Sequence, residues 1–443
     1  MIQVHTPYSE DIWDEREVWP RERIERYQLE TLKKQLVYLE QHSVYYQNKF
    51  KEVGFSAHDF TRLDDIRQLP ITYKIDYVTA LEENPPLGTM VAAPRKDLVR
   101  VHFSSGTTGK PTPVYWSKND IERWSDLYAR YFYAQGLRRD DTFQCLFSYA
   151  WFVGGLGATL AAQRVGALVI PGSSGDTERQ INTIFDFGTD CVMGTPSFMA
   201  HIAEAALKMG LDLRDSNVRM VCVGGEPGAS IPGTRARIET QWGAKMFDCY
   251  GALESQPIGW ESAGQTGPIL AEDFIYVEVL DAQTLEPVED GQQGVLVLTH
   301  LDKQACPLVR WWTGDIVVRD SSVGADGRTH ARLTGGVLGR ADDMLVIRGV
   351  NVFPSAIENI VRRFKGTTNE YQIVIDESLK DPSTGFLNGV RLRVEPTPEA
   401  PSDLADQLAN ELRQKLQARF YVELTDAGSL PKSVHKAKRV IYE

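Results

Sequence analysis

Cysteine is sparse in this sequence of 443 residues, and basic residues are outnumbered by acidic ones. Its five cysteines include no Cys-x-x-Cys pair, so neither a zinc ribbon nor a disulfide framework is indicated. The chain has 48 Lys and Arg residues and 60 Asp and Glu residues, which gives a formal net charge of -12. Because nucleic-acid backbones are bound by basic surfaces, no nucleic-acid partner is expected. Any phosphate group has to be bound at a local site.

Long uninterrupted apolar runs are missing as well. The most apolar stretch, residues 151–170, contains Gln163, Arg164 and four glycines, and it falls short of the roughly 18 apolar residues that a membrane span needs. Residues 1–17 are acidic and show no apolar run with basic flanks, so a secretory signal is not expected. The sequence therefore predicts no membrane association and a cytoplasmic protein.

Short β-rich runs alternate with helical patterns from about residue 98 onward. The runs are residues 99–103, 167–170, 218–223 and 245–249. This alternation predicts an α/β fold with a mainly parallel sheet and crossover helices, in which ligands gather at the carboxyl ends of the strands.

The length of the chain, with 42% apolar residues, predicts two hydrophobic cores. We place a large domain at residues 1–338 and a small one at residues 339–443. A leucine stripe at helical spacing predicts one helix over residues 20–50. The small domain is predicted to follow a β-α-β-β-α order, with Ser402 as the N-cap of its last helix.

A loop rich in small residues and hydroxyls follows the run at residues 99–103. Its members are Ser104, Ser105, Gly106, Thr107, Thr108, Gly109 and Lys110, followed by Pro111 and Thr112. Glycines let backbone amides converge on an anion, and Lys110 adds a positive charge. The spacing is not that of a Walker loop. Taken alone, the loop indicates only a nucleotide-phosphate site, or else an ordinary surface loop.

Five further motifs accompany this loop. They are Gly224-Gly225-Glu226-Pro227, Tyr250-Gly251-Ala252-Leu253-Glu254, Thr313-Gly314-Asp315, Gly339-Arg340-Ala341-Asp342-Asp343 and Pro431-Lys432-Ser433-Val434-His435-Lys436. Together the motifs resemble those of the adenylate-forming superfamily of acyl-CoA synthetases, and within it the phenylacetate-CoA ligase branch. The resemblance implies a large N-terminal adenylate-forming domain with mainly parallel sheets, followed by a small mobile C-terminal α+β lid domain.

The resemblance also implies an AMP-forming acid–thiol ligase. Such an enzyme uses ATP with Mg²⁺ to activate a carboxylic acid as an acyl-adenylate and then transfers the acyl group to coenzyme A. Relatives in this branch are often dimers, so a homodimer is implied. Some relatives carry a structural metal site built on Cys and His after the adenine motif, whereas residues 257–270 contain neither. We therefore predict no structural zinc.

The implied nucleotide-binding residues lie in the loop and in four of the motifs. Outside the loop they are Gly225, Glu226, Pro227, Tyr250, Gly251, Asp315 and Arg340. Tyr250 resembles the aromatic residue that packs on adenine, and Asp315 resembles the carboxylate that accepts hydrogen bonds from the ribose hydroxyls. The alternatives are that Tyr250 is a core aromatic residue and that Asp315 is a turn residue.

Two residues are implied to be catalytic. Lys436 resembles the lysine that reaches the substrate carboxylate and α-phosphate, and Glu254 resembles the acidic residue that helps hold Mg²⁺. Asp342 resembles the hinge about which the small domain swings. His435 departs from the pattern, because relatives usually have glycine there. Each of these residues is otherwise an ordinary solvated charge or turn residue.

The acyl pocket is assigned by analogy to seven residues: Tyr149, Trp151, Phe152, Gly154, Gly224, Ala252 and Leu253. Its aromatic character favours an acid of the phenylacetate or benzoate type, although aromatic stripes also form plain core. Trp151 stands where phenylacetate ligases tend to have a smaller aliphatic residue, so a short branched or hydroxylated acid stays open. His102 could meet a polar group of such a substrate.

Three rival functions remain open from the motifs alone. An adenylating enzyme could deliver its acyl group to a carrier protein or an amine instead of coenzyme A. A nucleotide-binding protein could have lost its chemistry, which the intact Lys436, Glu254 and Asp315 argue against. A phosphotransferase would release ADP, whereas adenylation releases AMP and pyrophosphate.

Overall fold

The computed structural model describes residues 5–104, 111–341, 345–347, 350–352, 354–380, 387–430 and 439–443. Several residues of the predicted site lie outside these ranges: Ser105, Gly106, Thr107, Thr108, Gly109, Lys110, Asp342, His435 and Lys436. Their assigned roles stay predictions from the sequence.

The α-helices in the described ranges are α1 (Arg21–His42), α2 (Val44–Val53), α3 (Lys74–Glu83), α4 (Lys118–Gln135), α5 (Val153–Val165), α6 (Thr177–Asp186), α7 (Pro196–Lys208), α8 (Pro232–Trp242), α9 (Pro354–Arg363) and α10 (Leu404–Leu416). None of these helices is both long and apolar enough to cross a membrane.

The strands of the first half are β1 (Leu98–Phe103), β2 (Pro113–Ser117), β3 (Thr142–Cys145), β4 (Leu168–Ile170), β5 (Cys191–Gly194), β6 (Met220–Val223), β7 (Lys245–Tyr250), β8 (Gly259–Trp260), β9 (Ile269–Leu270) and β10 (Ile275–Leu280). Those that follow are β11 (Gln293–His300), β12 (Trp311–Asp320), β13 (Arg332–Leu333), β14 (Gly339–Arg340), β15 (Leu345–Ile347), β16 (Val350–Val352), β17 (Thr367–Ile375), β18 (Val390–Pro396), β19 (Phe420–Leu424) and β20 (Val440–Tyr442).

One large sheet runs through the N-terminal part of the chain in the order β10-β11-β12-β13-β9-β8-β7-β6-β5-β3-β4, with β14 paired to β12. Strands β7, β6, β5, β3 and β4 are mutually parallel, and helices α5 to α8 connect them. From β7 to β10 every neighbouring pair is antiparallel. The predicted α/β class is confirmed, and the sheet is mixed because short connections, rather than crossover helices, join the strands of its second half.

The single helix predicted over residues 20–50 is wrong in one respect, since it is two helices that break at Ser43. The Ser43 hydroxyl accepts from the N–H of Tyr46 and donates to the carbonyl of Met90 at 3.2 Å. It therefore caps α2 and ties the break to a neighbouring segment. The predicted leucine stripe of α1 is correct at Leu32 and Leu36, which are fully buried.

A smaller C-terminal domain follows the large one. Its hydrophobic core is built from residues between 345 and 440, including Ile357, Ile373 and Leu412. Strands β17 and β18 pair antiparallel, and β19 and β20 add to their outer edges in parallel. The N-cap of α10 is Asp403, not Ser402, and its side chain makes no capping bond. The position of the boundary at residue 338 stays a prediction.

Candidate functional site

Three parallel strands end side by side at one edge of the large sheet. Strand β5 ends at Gly194, β6 at Val223 and β7 at Tyr250, and the three are neighbours in the order β5-β6-β7. The Gly224 and Tyr250 motifs therefore come together at this edge, although they are separated in sequence. Carboxyl ends of parallel strands are where ligands bind in open α/β sheets.

Glycines let the chain after β6 lie close to the end of β7. A Cβ on Gly224 would stand 2.7 Å from the carbonyl oxygen of Cys249, which is a clash with rigid backbone. Gly225 has a φ of 80°, in the left-handed region that side chains disfavour. The Glu226 carboxylate accepts from the hydroxyl of Ser197 at 2.8 Å, and Pro227 is exposed beside it. This segment forms a narrow backbone wall fastened to the start of α7.

Tyr250, Asp315 and Arg340 meet at the centre of the site. The Tyr250 hydroxyl donates to Asp315, and Arg340 forms an ion pair with Asp315 at 3.1 Å. Strands β12 and β14 pair Asp315 directly opposite Arg340. The Arg340 guanidinium also donates to the carbonyl of Thr313 at 3.1 Å. Three motifs that are far apart in sequence thus form one connected group.

The Tyr250 hydroxyl stays protonated in this group. Burial and the neighbouring Asp315 carboxylate both raise the pKa of Tyr250 well above its ordinary value. Asp315 is 8% exposed, so its hydrogen bonds are made away from bulk water and are strengthened accordingly. An aromatic ring next to a buried carboxylate suits a ligand with a flat base and adjacent hydroxyl groups.

Two lysines surround Glu254. The Lys74 ammonium at the start of α3 forms an ion pair with the Glu254 carboxylate. The ammonium of Lys303 donates to the backbone carbonyl of Glu254 at 2.9 Å. Carboxylate oxygens are ligands that Mg²⁺ prefers, and lysines bind phosphate as point charges. This corner therefore has the donor types needed for a metal–polyphosphate group.

Lys303 is an unusual lysine because it is 1% exposed. Burial lowers the pKa of Lys303, and the charge of Asp120 partly opposes this shift. Its ammonium lies 4.8 Å from the centre of the Trp116 ring, a cation–π contact that compensates part of the desolvation cost. Lys303 thereby holds the Tyr250 motif to the segment after β11.

The predicted phosphate loop connects the two strands of an antiparallel ribbon, β1 and β2. At its base the N–H of Ser104 donates to the carbonyl of Thr112, and the N–H of Thr112 donates to the Ser104 hydroxyl, both at 3.0 Å. These two bonds close the loop at its ends. Of the predicted phosphate-binding residues, Ser104 alone is in the described part of the chain.

Phe147 joins the predicted acyl pocket to the wall after β6. A Cβ on Gly154 would lie 3.3 Å from the Phe147 ring, and one on Gly225 would lie 4.0 Å from it. The hydroxyl of Tyr149 and that of Thr159 in α5 are hydrogen-bonded at 2.6 Å. The two glycines let the start of α5 and the wall after β6 lie close to the Phe147 ring.

Trp151 and Phe152 lie at the outer side of this region and are 67% and 42% exposed. Trp151 has a φ of 61°, a strained conformation for a bulky residue. Its carbonyl accepts from the N–H of Phe103 at 3.0 Å and from Nδ1–H of His102 at 3.1 Å. The turn that presents Trp151 is thereby tied to the strand that precedes the phosphate loop.

The residues after Tyr250 are half-buried. A Cβ on Gly251 would stand 2.9 Å from the Gln256 side chain, and Gln256 accepts from the Tyr128 hydroxyl at 2.8 Å. Ala252 and Leu253 are both partly exposed, and Leu253 packs on the main core. The hydrogen bond between Tyr128 and Gln256 positions the segment after Tyr250, and Ala252 and Leu253 stay partly accessible to solvent.

The structure therefore brings together the predicted Gly224, Tyr250, Asp315 and Arg340 groups. It also adds residues that the motifs did not single out, chiefly Lys74. Lys74 and Glu254 are 180 residues apart in sequence, and no local pattern marks this lysine. Only the packing of α3 against the sheet brings it to the site.

Comparison with known proteins gives the family. Residues 24–300 match the AMP-binding enzyme family, and residues 349–443 match the C-terminal domain of AMP-binding enzymes. The chain is 36% identical over 427 residues to the phenylacetate-coenzyme A ligase of Pseudomonas putida, covering 94% of this chain and 93% of that protein. It is 34% identical over 450 residues to the phenylacetate-coenzyme A ligase of Thermus thermophilus, covering 96% and 98%.

A solved relative is similar in structure over nearly the whole chain. It is a 2-hydroxyisobutyryl-CoA ligase in its postadenylation state with 2-HIB-AMP, at a TM-score of 0.92 and 29% identity, covering 99% of this chain and 94% of that one. The same ligase gives TM-scores of 0.77 in an open conformation and 0.75 in the thioesterification state. The chain therefore belongs to the AMP-binding enzyme family and, within it, to the phenylacetate-CoA ligase-like branch of the acyl-CoA synthetases.

Proposed function

We propose that this acid–CoA ligase converts an aromatic carboxylic acid, ATP and coenzyme A into acyl-CoA, AMP and pyrophosphate through an acyl-adenylate. The observation that carries the proposal is the connected group of Tyr250, Asp315 and Arg340 beside the glycine wall at the strand ends. A flat ring, a buried carboxylate and a cation in contact match the base, ribose and phosphate of one nucleotide.

The first step joins two anions, so positive charge at the site is essential. A carboxylate is a poor acyl donor, and attachment to AMP supplies a better leaving group. Lys74 places an accessible ammonium group beside Glu254, where it would oppose the repulsion between the acid and the triphosphate, while Lys303 is buried behind the Glu254 backbone. Bound Mg²⁺ would supply further charge neutralisation, and Glu254 would be a ligand once Lys74 releases its carboxylate.

Other roles come from the motifs alone. Lys110 would contact phosphate, and Lys436 would neutralise the acid and the α-phosphate during adenylation. Asp342 would be the hinge of a small domain that moves between the two steps. A homodimer and a cytoplasmic location stay predictions at this stage.

The acid is proposed to be of the phenylacetate or benzoate type. The aromatic surroundings of Phe147 and Tyr149 favour a flat apolar acyl group, and the two curated relatives described above, at 36% and 34% identity, are phenylacetate-coenzyme A ligases. A short hydroxy acid is the second candidate. It is favoured by the similarity to the 2-hydroxyisobutyryl-CoA ligase and by the bulk of Trp151 at the outer side of the pocket.

The purified enzyme is expected to form AMP, pyrophosphate and a CoA thioester in the presence of phenylacetate or a benzoate. The assay supplies Mg-ATP, coenzyme A and a panel of acids from aromatic acids to short hydroxy acids. Products are followed by chromatography, with omission of each substrate as the control.

The products distinguish the candidates. Thioester formation with short hydroxy acids but not with aromatic acids would support the second candidate. Pyrophosphate without thioester would point to a carrier protein or an amine as the acceptor. Release of ADP in place of AMP, or no acid-dependent product across the panel, would contradict the ligase proposal.

Replacement of Trp151 by glycine is expected to change selectivity while leaving the fold intact. Glycine adopts a φ near 61° without strain, and the indole removed is 67% exposed. A wider pocket should raise kcat/KM for ring-substituted aromatic acids, relative to a short hydroxy acid, by about tenfold.

The measurement is the ratio of the two kcat/KM values. Phe187→Ala is the matched control, since Phe187 is an aromatic residue of similar exposure at 62% outside the proposed pocket. An unchanged ratio in Trp151→Gly would remove Trp151 from the pocket.

A further inference from the structure

Helix α8 of the large domain and helix α9 of the small domain pack against each other. Gly233 lies in the first turn of α8 and is buried. A Cβ on Gly233 would lie 3.0 Å from Cγ of Arg363 and 3.5 Å from Cβ of Arg362, both in α9. The two helices therefore meet at a point where a side chain at residue 233 would press against Arg363.

The contact between α8 and α9 also supplies a hydrogen-bond acceptor for the first turn of α8. The first N–H groups of a helix have no partner within the helix and need a cap. The N-cap residue of α8 is Ile231, whose side chain makes no capping bond. The N–H of Gly233 donates instead to Oδ1 of Asn359 in α9, at 3.3 Å. The small domain thus supplies a cap that the sequence around α8 lacks.

Two arginines near this contact are each paired with a carboxylate. Arg237, one turn after Gly233, is paired with Glu204 at 2.6 Å, and Arg362 is paired with Glu358 at 2.6 Å. Burial lowers the pKa of Arg237, and the positive charge of Arg362 lowers it further. The carboxylates of Glu204 and Glu370 oppose this lowering of the Arg237 pKa, so both arginines at the contact have acidic neighbours.

We propose that the α8–α9 contact is a latch that holds the small domain in the pose used for adenylation, with Gly233 and Asn359 as its positioning residues. The inference rests on the proposed function, because it assigns the contact to one of the two steps. The structure is more similar to the postadenylation state of the solved relative than to its open or thioesterification states.

A latch of this kind affects rate only through the position of the small domain. The hydrogen bond from Gly233 to Asn359 is long, at 3.3 Å. Weak contacts suit a domain that has to be released in every catalytic cycle. Breaking the latch should therefore lower the population of the adenylation pose and leave the thioester step unaffected.

The test measures the two half-reactions separately in the full-length enzyme. Adenylation is followed as acid-dependent pyrophosphate release without coenzyme A, using the best acid of the panel. Thioester formation is followed from the chemically prepared acyl-adenylate and coenzyme A. Gly233→Leu is expected to slow adenylation by about five- to tenfold and to leave the thioester step within about twofold of wild type.

Asn359 provides a second, milder test. Asn359→Ala removes the acceptor and should slow adenylation selectively, whereas Asn359→Asp keeps an acceptor oxygen at a helix N-terminus and should restore it. Gly264→Leu is the control for glycine replacement, since a Cβ there meets only side-chain atoms of Thr266 and Ser262 at 3.7 Å or more.

The outcomes separate this inference from the proposed function. If the wild-type enzyme forms no acid-dependent product, the ligase proposal fails and the latch fails with it. If the wild type is active and Asn359→Ala slows both half-reactions equally, or neither, the ligase proposal stands and the latch is wrong. Thermal melting shows whether Gly233→Leu is folded; if it is not, the Asn359 pair decides.

Discussion

Asp315→Ala is expected to lower kcat/KM for ATP by about 100-fold or more. The substitution removes the carboxylate proposed to accept hydrogen bonds from the ribose hydroxyls, and each such bond to a charged group contributes about 1.5–3 kcal/mol. It also removes the acceptor of the Tyr250 hydroxyl and the anion paired with Arg340. The measurement is the initial rate of acid-dependent AMP formation as a function of ATP concentration.

Comparison of ATP with 2′-deoxy-ATP identifies the cause of the loss. The wild-type enzyme should discriminate against the deoxynucleotide, and Asp315→Ala should discriminate much less, because the partner of the missing hydroxyl is gone. Tyr250→Phe is the matched control, since it removes one hydrogen bond to Asp315 but keeps the ring and the carboxylate. If Asp315→Ala retains full discrimination, Asp315 does not bind the ribose.

Asp273→Ala is expected to destabilise the large domain by about 3–5 kcal/mol. Asp273 is 1% exposed and Arg130 is completely buried, and the two are joined by hydrogen bonds of 2.8 and 3.0 Å. Arg123 and Arg16 also pair with this carboxylate, at 3.2 and 3.3 Å. Removal of the carboxylate would leave three arginines close together with less negative charge to neutralise them.

Chemical denaturation at pH 7 measures this free energy of unfolding. Asp290→Ala is the control, because Asp290 pairs with Arg319 at the surface, where such pairs contribute about 0–1 kcal/mol. Similar losses for both variants would show that the buried network carries no special stability.

The effect of Asp273 should depend on pH in a defined direction. The arginines hold the pKa of Asp273 well below its ordinary value, against the opposing effect of burial. A carboxylate whose pKa is lowered by folding stabilises the protein above its unfolded value of about 3.9 and loses this effect as pH falls through the folded value. The difference in stability between wild type and Asp273→Ala should therefore be full at neutral pH and shrink at acidic pH below about 4.

Much of the fold could be read from local pattern. Strands β4, β6 and β7 follow from the β-rich runs at residues 167–170, 218–223 and 245–249, because each such pattern depends on residues close in sequence. The run at residues 99–103 is also a strand, β1, but it pairs with β2 outside the large sheet. The break at Ser43 was missed, because the apolar spacing continues through it and the serine is held by a segment about 46 residues away. The antiparallel half of the sheet was missed because its strands are joined by short connections without crossover helices, and the strand direction then depends on turns that the β-rich pattern does not reveal.

The residues of the site also fall into those that the sequence predicted and those that only the structure revealed. The Tyr250 and Asp315 motifs could be recognised because the roles of these residues are encoded in short, ordered stretches. Lys74 and Lys303 could not, because a lone lysine looks the same in sequence whether it is solvated or bonded to a distant residue. Lys74 pairs with a carboxylate 180 residues away, and Lys303 donates to a backbone carbonyl 49 residues away. Asn359 as the cap of α8 was equally invisible, since its partner lies 126 residues earlier in the chain.

By itself the sequence determined the family, the reaction class and the order of the motifs, because these depend on residue types at short fixed spacings. Only the tertiary structure decided which motifs touch, which charges neutralise one another and where α8 and α9 meet. The physical reason is that such contacts depend on the order of strands in the sheet and on close packing between distant segments, which no local pattern specifies.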